Sequence, residues 1–175
     1  MGISLHVKFE QAVRMLAEAL PVSAPDSRKP VLFHDIRVGV HLYERGYPDQ
    51  VVLAGVLHDA LEFSSLTEEV LRKEFGDEVV RIVRANTKDD SIADKEEKIR
   101  ELIQRCAKAG EDALIVKAAD IIDSFTHYSQ TDNEGELKYC MRNANAIFTY
   151  KPAEYKDTIF DELKTWQGKF AYLMK

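Results

Sequence analysis

Cysteine is scarce in this chain: Cys106 and Cys140 are the two among 175 residues, they lie in separate segments, and neither is part of a CxxC pair. A disulfide framework and a zinc ribbon are thereby excluded, and a reducing, cytoplasmic setting is expected. Long apolar runs are missing too. No stretch approaches the roughly 18 residues of a membrane span, and the first residues lack the basic region plus apolar run of a secretory signal, so no membrane partner is expected. Nor is there a run of five or more Lys or Arg to offset a formal net charge of -6, from 30 acidic against 24 basic residues. Duplex nucleic acid is therefore not an expected partner. A small anionic substrate would need a bound cation and a few placed bases to reverse the local field.

What is present is a balance of 45% hydrophobic and 31% charged residues. This supplies both a core and a surface for one domain over 1–175. Apolar residues recur at helical spacing almost throughout, without sustained strand alternation, so the fold class is all-α. Phe9, Val13, Leu16, Ala17 and Leu20 mark a first helix ending at Pro21, followed by a turn-rich loop. A second helix is expected over Val31–Glu44, and a third, QVVLAGVLHDALEF, begins after Asp49 as its cap. Ser65 and Glu68 have capping-box spacing for a fourth, and Asp77 is the expected cap of a fifth. DKEEKIRELIQRCAKAG is amphipathic, with Ile99, Leu102, Ile103 and Cys106 on one face and Gly110 as its stop. DALIVKAADIIDSFTHY is apolar again, and two C-terminal helices part at Pro152.

The third helix is apolar on nearly every side, so its His58, Asp59 and Glu62 require a special reason. Burying a carboxylate costs several kcal/mol unless its charge is neutralised, and a divalent cation neutralises it best. Imidazole nitrogen with carboxylate oxygen suits manganese, iron, cobalt, nickel or zinc better than calcium. More than two protein ligands are needed, and two other interior-looking helices carry candidates, His34 and Asp120.

The order His34, His58-Asp59, Asp120 reproduces the H…HD…D signature and resembles the metal-dependent phosphohydrolases of the HD superfamily. More closely, PVLFH, VLAGVLHDALE, LTEEVLRKEFGDEVVRIV, NTKDD and LIVKAAD are similar to the hydrolase domain of RelA/SpoT proteins and the small alarmone hydrolases. The resemblance covers about Val31–Tyr128. It implies an HD-domain helical bundle, with a core of about 28–130 and extra C-terminal helices over about 134–175. It also implies one divalent ion, Mn2+ foremost with Fe, Co, Ni, Zn or Mg as alternatives, held by His34, His58, Asp59 and Asp120. By the same resemblance Glu62 and Asp59 are catalytic, and Arg28, Lys29 and Lys88 bind the substrate, while Arg37, a nearby base, and Asp123, three residues past Asp120, are further substrate-binding candidates read from their positions. That substrate is a phosphorylated nucleotide, an alarmone 3′-pyrophosphate being one such substrate. A nucleoside monophosphate, or binding without turnover, stands as the alternative, and a homodimer is left open.

Three departures accompany the match, the first being Ile121-Ile122-Asp123-Ser124-Phe125 after the last expected metal ligand, where the family's stretch usually ends in an Asn before an apolar residue. Phe63 stands where the alarmone hydrolases have the acidic partner of Glu62, and Asp35 follows His34 where they often have proline. An aromatic ring at 63 offers no acceptor, so weak alarmone hydrolysis relative to another nucleotide is expected unless Asp123 supplies the carboxylate.

Overall fold

The computed structural model describes residues 3–174, which are helical with no strand among them. The chain divides into two compact units, Met1–Thr87 and Lys88–Lys175. No helix among the described residues is long and apolar enough to cross a membrane.

The first unit holds α1 (Leu5–Ala19), α2 (Val31–Glu44), α3 (Asp49–Leu57), α4 (Ala60–Phe63), α5 (Glu68–Phe75) and α6 (Asp77–Asn86). Helix α3 is its centre: Val51 to Leu57 are all buried, and α1, α2 and α6 pack around it. Helices α2 and α3 approach so closely that no side chain fits between them at Gly39 and Gly55. A methyl at Gly39 would lie 2.2 Å from Val56 Cγ2 and 3.0 Å from the Phe9 ring. At Gly55 it would lie 2.4 Å from Leu42 Cδ1 and 3.6 Å from the Gly39 Cα. Helix α6 buries Val79, Val80, Ile82 and Val83, and it packs on α3 and α5.

Helix α2 has the expected bounds, whereas the third helix does not run through. Its ladder stops at Leu57, His58 and Asp59 form a turn with Asp59 at φ -94°, ψ -4°, and α4 restarts from the Asp59 carbonyl. Hydrophobic periodicity continues across this break and cannot reveal it. Asp49 and Asp77 are the first helical residues rather than caps, their carboxylates complementing the N-terminal dipole. Thr67, not Ser65, caps α5, accepting from Val70 N at 3.4 Å. In α1 the fully buried positions are Ala12 and Leu16, and Ala17 faces solvent. Phe63 is 44% exposed, so its ring is not part of the core.

The second unit holds α7 (Lys95–Ala109), α8 (Glu111–Gln130), α9 (Glu134–Tyr150) and α10 (Ile159–Lys169), then a 3-10 turn at Ala171–Met174. Asp94 caps α7 by accepting from Glu97 N at 2.7 Å. The expected apolar face of α7 is buried, and Gly110, at φ 130°, lets the chain reverse directly into α8. Burial pushes the Cys106 thiol up to about 12, so it stays neutral at ordinary pH. The C-terminal aromatics pack: Trp166 and Phe170 lie parallel to the fully buried Phe125, with ring centroids 6.2 and 5.6 Å away. They tie α10 to α8 through apolar area.

The two glycines predict different costs. Gly39→Ala collides with β-branched Val56, which is stiff in a helix, and with an aromatic ring; Gly55→Ala meets the flexible end of Leu42. Overpacking costs about 1–3 kcal/mol and the helix gains about 1 kcal/mol from alanine, so Gly39→Ala is expected to lose up to about 2 kcal/mol. Gly55→Ala should lose less. Urea unfolding of both variants checks the order, and equal or reversed losses would refute it.

Candidate metal centre

Helices α2 and α3 are joined by the four-residue stretch 45–48 and pack as a hairpin, which puts the start of α2 and the end of α3 at one end of the unit. His34 comes from the first turn of α2 and His58 from the residue after α3, and they are 0% and 1% exposed. Their Nε2 atoms lie 3.2 Å apart, with the ring planes at 75°.

The far side of His58 fixes its proton. Nδ1 donates to the Gly55 carbonyl at 2.8 Å, and a carbonyl can only accept, so the proton belongs to Nδ1. In the neutral ring the Nε2 lone pair is therefore left facing His34. Two nitrogens at about 2.1 Å from one ion would be about 3.0 Å apart at a right angle and about 3.4 Å apart at a tetrahedral angle. The observed 3.2 Å lies between these. Asp59 Oδ1 stands 3.6 Å from the same Nε2, placed there by the turn that interrupts the helix.

A fourth group completes the cluster. One donor atom each from His34, Asp35, His58 and Asp59 lie within 4.8 Å of one another, and these residues fit a divalent ion. Asp35 is fully buried, with Oδ1 3.7 Å from His58 Nδ1. It lies beside the face of His58 that bonds to the backbone, which suits a carboxylate that orients the ring. Sequence reasoning assigned it no role. The available signal was an acidic residue directly after His34 on an apolar helix.

The other expected site residues are placed as follows. Glu62 is half-buried on α4, outside the four-donor cluster. Arg28 is exposed and Lys29 half-buried in the loop before α2, while Arg37, on α2, lies over the Phe33 ring at 4.5 Å. The remaining three belong to the second unit: Lys88 at its start, half-buried, and Asp120 and Asp123 one turn apart on α8. Asp120 Oδ2 accepts from the buried Lys117 Nζ at 2.8 Å, and Ser124 Oγ donates to Oδ1 at 3.4 Å. Burial works against the Lys117 charge, but the Asp120 carboxylate, together with Tyr139 and Cys106, outweighs it and holds the ammonium above its ordinary range.

Comparison with known proteins agrees with this architecture. A family model described as HD domain matches residues 12–150. A guanosine-3′,5′-bis(diphosphate) 3′-pyrophosphohydrolase of Aquifex aeolicus is 25% identical over 149 residues, covering 82% of this chain and 21% of that protein. A Streptomyces coelicolor protein named GTP pyrophosphokinase is 34% identical over 98 residues, 54% of this chain and 12% of its own length. The Danio rerio protein MESH1, named as a 3′-pyrophosphohydrolase of the same nucleotide, is 32% identical over 108 residues, 61% of this chain and 59% of that one. The chain thus spans about a fifth or less of the long bacterial relatives and over half of the small animal one. Among solved structures, a metazoan SpoT ortholog described as hydrolysing ppGpp superposes with a TM-score of 0.68 at 23% identity, over 96% of this chain and 98% of that one. A Listeria monocytogenes protein gives 0.64 at 22%, over 81% and 94%. At those identities the likeness is one of fold.

Removing a donor tests the centre. His58→Ala and Asp59→Ala are each expected to abolish stoichiometric Mn2+ binding, because few protein donors remain. Manganese should raise the melting temperature of the wild type, since binding to the native state alone stabilises it, and should leave both variants unmoved. Metal analysis after reloading checks this, and wild-type stoichiometry in either variant would disprove the site.

Proposed function

The chain belongs to the HD domain family, and we propose that it is a divalent-metal-dependent phosphohydrolase whose foremost substrate is the 3′-pyrophosphate of guanosine bis(diphosphate) nucleotides. The observation that carries this reading is the convergence of His34 Nε2 and His58 Nε2 at 3.2 Å beside Asp59, in a chain whose relatives carry that activity in their names. In this reading Asp120 is the further ligand named by the signature. Mn2+ is the proposed ion, with iron, cobalt, nickel, zinc or magnesium as alternatives.

When bound, the ion supplies a water of lowered pKa and a Lewis acid beside a phosphoryl oxygen. The protein's own groups do the rest. His58 is held with its proton on Nδ1 by the Gly55 carbonyl, so Nε2 stays a donor to the ion. Asp59 holds the ion and orients the attacking water. Glu62, one turn beyond, accepts the proton at its carboxylate and returns it to the leaving group. Arg28, Lys29, Arg37 and Lys88 neutralise the phosphates of the nucleotide, with Asp123 at the edge of the substrate.

A second reading rests on Phe63. Its ring is 44% exposed in the place where the alarmone hydrolases carry an acid, which favours another nucleotide or binding without turnover. Phosphate release with Mn2+ from guanosine tetraphosphate and a panel of nucleoside mono-, di- and triphosphates separates the readings. Strong preference for the tetraphosphate supports the first. Release mainly from another nucleotide supports the second, and metal-independent behaviour throughout would overturn both. Phe63→Asp should raise tetraphosphate turnover. If the wild type already prefers it and Asp123→Asn abolishes the activity, the carboxylate has moved to α8.

Glu62→Gln should keep the metal and lower kcat by about 10²–10⁴-fold, the range for a lost general acid or base. An unchanged kcat with normal metal content would remove Glu62 from the chemistry.

A further inference from the structure

Two carboxylates of the first unit stand at opposite nitrogens of one imidazole. Asp59 Oδ1 lies 3.6 Å from His58 Nε2, and Asp35 Oδ1 lies 3.7 Å from His58 Nδ1. Asp59 comes from the turn after α3, whereas Asp35 comes from the first turns of α2, directly after His34. Successive residues of α2 therefore serve both ends of the ring: His34 meets Nε2 at 3.2 Å, and Asp35 stands at Nδ1. The side chains of Asp35 and His58 are 0% and 2% exposed, so water screens one from the other only weakly. Nδ1 has a nearer acceptor in the Gly55 carbonyl, at 2.8 Å, which is enough to set the tautomer. A carboxylate behind the ring adds what a neutral carbonyl lacks, a full negative charge.

We propose that Asp35 is a positioning residue for the metal centre, acting through His58: its charge at the Nδ1 side strengthens Nε2 as a donor to the ion and raises the affinity of the centre for a dication. The proposal rests on the reading that His34, His58 and Asp59 hold a divalent ion. An imidazole that gives electron density to an ion becomes more positive at its Nδ1–H, and a carboxylate there stabilises the metal-bound ring more than the empty one. The same charge attracts a dication without touching it, and in a site from which water is excluded that attraction persists over several ångströms. Both effects favour the bound state, and neither asks Asp35 to give an oxygen to the ion.

Asp35→Asn keeps the size of the side chain and removes its charge. Its Kd for Mn2+, measured by equilibrium dialysis, is expected to rise about 10–100-fold, the scale on which groups behind a ligand act. Added Mn2+ should then raise its melting temperature less than it raises the wild type's, while the metal-free variant still unfolds in one cooperative transition. In metal-free protein labelled with 15N-histidine, the His58 Nδ1–H resonance should move upfield as the charge is withdrawn, which a role in packing alone would not produce. If Asp35→Asn does not fold, the smaller Asp35→Ser carries the same expectations. Wild-type Mn2+ affinity in the folded variant overturns the proposal. So does complete loss of Mn2+ binding, which would make Asp35 a ligand rather than a group behind one. His58→Ala separates this failure from failure of the underlying reading: if the wild type binds Mn2+ and His58→Ala does not, the centre stands and only the role of Asp35 is lost. A wild type that takes up no Mn2+ would end both.

Discussion

The contact on which the metal centre depends is made by two residues without side chains. Gly39 and Gly55 let α2 and α3 meet backbone to backbone, and both imidazoles are measured from that crossing. His34 lies five residues before Gly39, about 7.5 Å along its helix, and His58 three residues after Gly55, about 4.5 Å along its own. Because the two helices form a hairpin, both displacements run toward the same end, and the rings meet at 3.2 Å. Pushing the helices apart by even a methyl would open that gap beyond what one ion spans. The glycines thus fix a ligand distance without touching a ligand.

The turn at His58-Asp59 is the second constraint. A continuous helix would send consecutive side chains about 100° apart around its axis, whereas the break at Asp59 brings its carboxylate within 3.6 Å of the preceding imidazole. The freed carbonyl of Gly55 is reused as the acceptor that sets the His58 tautomer. One local interruption, at the end of the most buried helix of the unit, therefore aims a carboxylate and polarises an imidazole.

These features were unequally legible. The bounds of α2, the buried face of α7 and the cluster of His34, His58 and Asp59 follow from periodicity and from the cost of burying polar groups, both of which are properties of single segments. The glycine contact is a property of two helices at once, and nothing in either segment alone distinguishes Gly39 or Gly55 from a neutral glycine. The break after Leu57 was hidden because apolar residues continue on both sides of it. Asp35 was visible but uninterpreted: one charged residue on a mostly apolar helix could have faced water, and only the fold shows it fully buried beside His58. At the caps, a single residue of shift moved Asp49 and Asp77 from outside the helix to its first position, where carboxylates are also favoured.

The two units treat their buried carboxylates in opposite ways, and the difference bears on where positive charge is needed. In the second unit Asp120 has a cation built in, Lys117 at 2.8 Å. In the first, Asp35 and Asp59 are buried beside His34 and His58, and among the described residues of that unit no lysine or arginine is itself buried. A divalent ion held by His34, His58 and Asp59 would add positive charge to that cluster. The same ion would give a protein of net charge -6 a place where an anionic phosphate can bind. Acidity of the whole chain and affinity for an anion are then compatible, because the field that matters is local and is set by what the His34–His58 pair holds.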